Sequence, residues 1–394
     1  MALRLMRKFN FNPIILSNKF AGRLSFILKH RDSTLQLFVQ TFTVIILFIG
    51  GLGLFNENYV NTISAIFGLI IIVFLLVEGR NLKIPKHFVL FSIFILILTL
   101  SLSWSRVFIP SFRQGMLFVA GWSFWLISYN VRKDITGWIL NLIVILGIGF
   151  GILFVLNNFY HWPISRGLSL FLTPSKTGQF HFHIGDYWAI IGLITIFRLT
   201  KTPKQPFYWL MIPATAYFLF SSMSRGGIVA LAVGIIFLIL KGKIRISGRT
   251  KIIIASILTG LFVVNSISKS TFLSRPYFIQ AIAGLKIYPF GVGLGNFSGI
   301  SNNPKTHLFG LSRFSLYTHN IILEMISAVG ILGLVFLIWF IFVIFDVFFQ
   351  SKNKNLVFQA IFVVISTNFM FDYTYFIPTM CWLWFISLGQ AQKE

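Results

Sequence analysis

Carboxylates are scarce in this chain: Asp and Glu together number nine in 394 residues, against 33 Lys and Arg. Charge of either sign makes up 11% of the sequence, where a soluble domain carries ~25%, and so little charge excludes a water-solvated globule of this length. The nine carboxylates are Asp32, Glu57, Glu78, Asp134, Asp186, Glu324, Asp346, Asp372 and Glu394, with no DxD or other close pair among them. Divalent-metal sites usually need carboxylates at such spacing, so neither a catalytic metal nor a cofactor is expected. The single cysteine, Cys381, lies inside an apolar run, which excludes an intramolecular disulfide. Internal repeats and low-complexity segments are lacking too.

Apolar runs are abundant. Hydrophobic residues make up 56% of the chain, and runs close to 20 residues recur along its length, each able to cross a hydrocarbon core ~30 Å thick. Spans are expected near 36–55, 60–77, 88–103, 113–130, 136–156, 184–199, 207–223, 226–241, 251–268, 318–345, 356–371 and 376–390. The expected fold is an all-α, polytopic bundle of about 12 spans forming one membrane domain over 1–394. The tenth run, read as one helix of 28 residues, is ~42 Å long and should tilt or project beyond the bilayer. Residues 1–35 read as a basic cytoplasmic tail, partly an interfacial helix, because no compact apolar core with a small-residue cleavage site follows the first basic residues.

The net charge of +24 invites a nucleic-acid reading, but the charges sit in short loops between apolar runs, where they set orientation in a membrane. With the N-terminus inside, 23 of the Lys and Arg fall on the inner side and ten on the outer. Twelve spans with both termini inside satisfy the positive-inside bias, and no nucleic-acid partner is expected. Two outer loops are long, 157–183 and 269–317, and hold His161, His181, His183, His307 and, at the end of the second, His319. Long loops tend to carry function.

Outer loops need no cations for topology, yet six of the ten outer ones are arginines, whose planar fork suits phosphate oxygens. Arg106, Arg113 and Arg166 either snorkel toward ordinary phospholipid or bind substrate. Arg225, in SSMSRGGIVALAVG, stands at an outer break between apolar runs, where a charge needs a partner; Gly226 and Gly227 beside it admit close backbone approach. His181 and His183 flank Phe182 and make an incomplete metal site. PFGVGLGNF, with Gly291, Gly293 and Gly295, is either a flexible turn or a backbone nest for phosphate. Asp186 reads as a helix cap with a base role as its alternative. Glu324 reads as a helix-dipole carboxylate or a group facing a cavity. His319 opens the long tenth run in YTHNIILEMISAVGILG. At about 100° per residue, His319, Leu323, Ile326, Gly330 and Gly333 share a helical face, whose small residues would admit a neighbouring helix. A histidine there can take a proton from a sugar hydroxyl.

Together these residues resemble the O-antigen ligase family and the related polysaccharide polymerases. His319-Asn320, nine residues, Gly330, two residues, Gly333 is similar to that family's signature. Ser224-Arg225-Gly226 matches its SRG motif, and Arg275 ahead of Pro289 to Phe297 matches an arginine preceding a PxGxGxGxF-like stretch in its large periplasmic loop. The resemblance covers about 184–345. It implies a GT-C-like membrane glycosyltransferase of the bacterial inner membrane. Such an enzyme moves a glycan from an undecaprenyl-diphosphate donor to a glycan acceptor, a lipid A–core sugar or a growing polysaccharide, on the outer face. By the resemblance, Arg225 and Arg275 hold the diphosphate and His319 is the base, with Asn320, Gly291, Gly293, Gly295 and Arg313 as further substrate-binding residues. Membrane lipids are the remaining partners. The motif departs from some ligases at Ile331 and Leu332, and the stretch from Phe297 to His319 is short and basic; the acceptor stays open.

The rival class is a transporter or lipid-linked-glycan flippase, which twelve spans also fit. It should carry cations through a central cavity and show inverted repeats or broken helices; mid-span charges are few here. A noncatalytic scaffold accounts for the apolar spans and leaves Arg225, Arg275 and His319 unexplained as a set.

Overall fold

The computed structural model describes residues 42–48, 57–77, 82–130, 135–160, 173–174, 180–181, 183–222, 224–242, 276–307, 314–350 and 355–393. Residues 1–45 and 46–394 separate into two units, and the architecture below is that of the second. The expected tail at 1–35 and the expected span at 251–268 lie outside the described residues, as do Arg166, Arg275 and Arg313.

Among the described residues of the second unit, twelve helices have nine residues or more: α1 (Glu57–Val77), α2 (Phe88–Leu100), α3 (Phe108–Asn130), α4 (Ile135–Tyr160), α5 (Ile184–Leu199), α6 (Pro206–Ser221), α7 (Arg225–Leu240), α8 (Pro276–Ile287), α9 (Ile321–Val329), α10 (Leu334–Phe345), α11 (Leu356–Phe369) and α12 (Pro378–Ala391). The one strand pairing among the described residues is a two-residue antiparallel bridge, Thr173 to His181 and Pro174 to Phe180. By length and composition, the helical stretches Tyr59–Leu76, Gly137–Leu156 and Ile321–Phe349 can cross a membrane; Phe88–Ser103, Arg225–Leu240 and Leu356–Phe369 are shorter apolar helices. The protein is an all-helical, membrane-embedded bundle.

Burial sorts the helices into an inner and an outer set. Every residue of α12 is buried, and every residue of α11 except Thr367. α1 and α10 instead expose Ile66, Ile70, Val73, Ile338, Ile341 and Phe345, apolar faces that water would not tolerate at this extent and hydrocarbon does. α12 lies close against α3 because both carry glycine at the crossing. A Cβ at Gly121 would come within 2.2 Å of the Phe385 ring, and one at Gly389 within 2.0 Å of Ser128 Oγ. Large rings fill the space beside that crossing: Phe91 lies 4.4 Å from Trp339, Trp339 meets Trp384 edge-on at 5.6 Å, and Phe362 stacks on Trp384 at 5.5 Å. Such pairs add ~0.5–1.5 kcal/mol each beyond the area they bury.

Polar contacts gather at the two ends of the bundle. At one end Lys86 Nζ pairs with Asp346 at 3.1 Å, Lys83 and Asn130 exchange hydrogen bonds of 2.8 and 2.9 Å, and Asn355 donates to the Gln390 carbonyl at 2.8 Å. At the opposite ends of the same helices, Trp104 Nε1 donates to the Phe290 carbonyl at 2.8 Å, Ser111 to the Leu294 carbonyl at 3.0 Å, and Asn296 to the Val107 carbonyl at 3.0 Å.

The tenth run is not one long helix. Asn320 starts α9, its side-chain oxygen accepting from the Ile322 and Leu323 amides at 3.0 and 3.1 Å. α9 ends at Gly330, where φ is +64°, and a 3₁₀ turn over Gly330–Gly333 separates it from α10. The expected 28-residue rod therefore gives way to two shorter helices. The neighbour admitted by the small residues is not a helix either. A Cβ on Gly330 would lie 1.8 Å from the Pro289 carbonyl oxygen, and one on Gly291 2.3 Å from the Ala328 oxygen. The glycine loop itself packs into the break.

Candidate functional site

The site is built where the first turns of α5, α7 and α9 meet the turn between α11 and α12. α5 begins beside His183, and its first turn carries Asp186, both side chains fully buried. α7 is capped by Ser224, whose Oγ accepts the Gly227 amide at 3.0 Å and donates to Asp186 Oδ1. Asn368 near the end of α11 donates to the same Asp186 oxygen at 2.7 Å and accepts from the Thr374 hydroxyl. The helix starts can come this close because Gly185 and Gly227 face each other; a Cβ at Gly227 would lie 2.9 Å from the Gly185 carbonyl oxygen. Asp186 is not the N-cap of its own helix, a position held by His183. It is a buried carboxylate joining three helices.

His319 faces the neighbouring carboxylate. Its Nδ1 lies 3.3 Å from Asp372 Oδ1, with the imidazole 27% exposed and Asp372 7%. The backbone at His319 is left-handed, φ +53°, a conformation costing a non-glycine residue roughly 1–2 kcal/mol. Both neighbours hold it there. Thr318 donates its hydroxyl to the Asn320 carbonyl at 2.8 Å, and Asn320 Nδ2 donates to the Met370 carbonyl at 3.1 Å. The ring sits between Tyr277 and Tyr373, each with its centroid 5.1 Å away. With Nδ1 turned to Asp372, the neutral tautomer that donates there leaves Nε2 as its acceptor.

Glu324, one turn into α9, is a second buried carboxylate. Its Oε2 accepts the Thr318 amide at 2.9 Å and has the Thr318 and Tyr375 hydroxyls at 3.1 and 3.3 Å. The Gly295 amide reaches the same carboxylate. Burial, with the Glu324 charge beside it, pushes the Tyr375 phenol well above its ordinary value, so it stays protonated and donates. Glu324 thus joins three segments: the glycine loop, the residue preceding His319 and the turn that carries Asp372.

The glycine loop is rigid rather than a flexible turn. Gly291, Gly293 and Gly295 all have positive φ, between +74° and +87°. The amides of Val292 and Gly293 donate to the Ser327 and Ala328 carbonyls at 3.0 and 2.9 Å, the Gly291 amide to Tyr288 at 2.9 Å, and the Ile331 amide returns to Pro289 at 2.9 Å. The amides of Gly291, Gly293 and Gly295 have carbonyl or carboxylate partners, which leaves the alternative of a phosphate nest without free donors here. These glycines lock the loop against the end of α9.

Arg225 is the first residue of α7 and is exposed, next to Ser224, which binds Asp186. Among the described residues no carboxylate pairs with it. Arg106 fixes one nitrogen on the Gly299 carbonyl at 2.9 Å. Tyr277, whose ring lies tilted against His319, follows Arg275 by two positions in sequence. His307 Nε2 donates to the Ser301 carbonyl at 2.9 Å. His181 lies in the strand bridge and His183 begins α5. From sequence alone Asn368 carries no role, Asp372 counts only among the carboxylates, and His183 reads only as half of an incomplete metal site with His181. Asp372, a lone carboxylate just beyond an apolar run, was the readable signal. The carboxylates that lack any close spacing in sequence do converge in space: His183, Asp186 and Asp372 offer three ligand atoms within 4.8 Å of one another, a set that can hold a metal ion. Compared with family models, with curated proteins and with solved structures, the chain matches none.

Proposed function

We propose that the protein is a glycosyltransferase that moves a glycan from undecaprenyl diphosphate to an acceptor hydroxyl, in the manner of the O-antigen ligases and polysaccharide polymerases its motifs resemble. The observation that carries this reading is the His319–Asp372 pair: a partly open imidazole whose Nδ1 is held by a buried carboxylate, leaving Nε2 to accept a proton. In the reaction, His319 Nε2 takes the acceptor's hydroxyl proton while the hydroxyl oxygen attacks the anomeric carbon. The bond from that carbon to the phosphate oxygen breaks on the opposite face, undecaprenyl diphosphate departs, and the configuration inverts. Asp372 stabilises the imidazolium that forms. Arg225, exposed at the start of α7 beside the cluster, and Arg275, assigned from the resemblance, offset the charge that grows on the leaving diphosphate. Asn320 orients His319 rather than touching the donor, and Arg313 remains a candidate for donor binding.

In this reading the chain is a GT-C-like bundle of twelve spans in a bacterial inner membrane, with the site at the outer face and both termini in the cytoplasm. Two sets of contacts support the alternation. The helix ends assigned to the inside meet through Lys86–Asp346 and Asn355–Gln390, and those assigned to the outside meet around His319 and Asp186.

The test is transfer by the purified full-length protein given undecaprenyl-diphosphate glycan and, in separate reactions, a lipid A–core acceptor or a second lipid-linked glycan. Product on the core makes it a ligase, and a lengthened lipid-linked chain makes it a polymerase. Movement of the donor across vesicles without transfer would replace this reading with a flippase.

A further inference from the structure

Resting on that reading, we propose that His183 and Asp186 form a second His–Asp pair that acts through Asp372, positioning the carboxylate that holds His319. His183 Nδ1 lies 3.2 Å from Asp186 Oδ2 and 3.7 Å from Asp372 Oδ2. The first is a hydrogen bond; the second is an electrostatic contact. Asp372 thus presents one oxygen to each histidine, Oδ1 to His319 and Oδ2 to His183.

The far end of the chain is the stiff one. Asp186 Oδ1 accepts from the Ser224 hydroxyl and from Asn368 Nδ2, so the carboxylate is tied to α7 and α11 at once. His183 is fully buried, and its ring meets the edge of Tyr373 at 4.8 Å; Tyr373 also meets the His319 ring edge-on at 5.1 Å. One tyrosine therefore spaces both imidazoles. Two carboxylates this close repel in a low-dielectric interior, and the Nδ1 proton of His183, directed between them, offsets that repulsion and fixes the angle of Asp372. No bond is made or broken at His183. It is a positioning residue, one step removed from the reacting proton.

The full-length protein, labelled with ¹⁵N-histidine in detergent, reports the tautomer of each ring, with His319 assigned by substitution. The wild type should hold His319 as a single Nδ1–H tautomer. His183→Leu and the near-isosteric Asp186→Asn should let both tautomers populate, while His183→Gln, whose amide supplies an N–H, should restore most of the single form. In transfer assays His183→Leu should lower kcat by roughly 10- to 100-fold, leave KM for the lipid-linked donor unchanged, and be rescued in part by His183→Gln. A wild-type tautomer and kcat in both His183→Leu and Asp186→Asn would overturn the proposal. So would an equimolar divalent metal bound to the wild type and lost from both variants, which would make the cluster a metal site. Absent transfer by the wild type would instead overturn the glycosyltransferase reading, and the tautomer measurement would still decide this one.

Discussion

In the proposed reaction the chemistry turns on His319, which its motif singles out in the sequence without showing what holds it. Nothing in the local pattern around Asp372 links it to a histidine 53 positions earlier; only the folding of the α11–α12 turn over the start of α9 brings them together. Asp372→Asn keeps the shape and removes the charge that fixes the Nδ1 proton. Transfer should fall by roughly 10²- to 10⁴-fold with the donor KM little changed, as steady-state kinetics would read. Glu324 works at one remove. Glu324→Ala strands the Thr318 amide and the Tyr375 hydroxyl in a buried site, costing roughly 3 kcal/mol, and should lower the detergent melting midpoint and the transfer rate together. Glu324→Gln should lose less of both.

Among the elements, helix positions were legible because apolar runs of this length have few alternatives. The break at Gly330 was not. The HN-x9-GxxG spacing fits a continuous helical face as well as it fits two helices and a turn, and the choice between them is made by a loop about 40 residues away in sequence, Pro289–Gly291, whose backbone occupies the space a Cβ would need. Gly330→Ala places that Cβ against the Pro289 carbonyl and strains φ. It should destabilise by about 2–3 kcal/mol or more. Gly149→Ala is the control: a Cβ there meets nothing within 4 Å, and the change should be neutral or stabilising by ~0.5–1 kcal/mol. Equal losses of melting midpoint in the two variants would remove the glycine loop from its place as the lock on α9. The SRG motif has a similar explanation. Ser224 caps α7 and binds Asp186, and the glycines after it admit α5 and Asn368, so only Arg225 is left facing outward.

For the whole molecule, composition carried the membrane assignment, since 11% charge and recurrent apolar runs leave no soluble alternative. The order of inner and outer ends rests on charge counting and on the two polar belts that close the bundle. Cys381 is buried, so single cysteines elsewhere can be labelled selectively in intact cells. Asn302→Cys, on an exposed residue of the loop proposed to lie outside, should react with a membrane-impermeant maleimide; Lys204→Cys, exposed between α5 and α6, should react only after the membrane is opened. The reverse pattern would invert the orientation and put His319 on the cytoplasmic side.

The most direct measurement is transfer from undecaprenyl-diphosphate glycan in EDTA by wild-type protein and by His319→Ala, both shown to be folded. The wild type is expected to transfer in the presence of the chelator, and the variant's rate to collapse. A variant that transfers as fast as the wild type would contradict this and move the base elsewhere in the cluster, with Asp186 the next carboxylate to test.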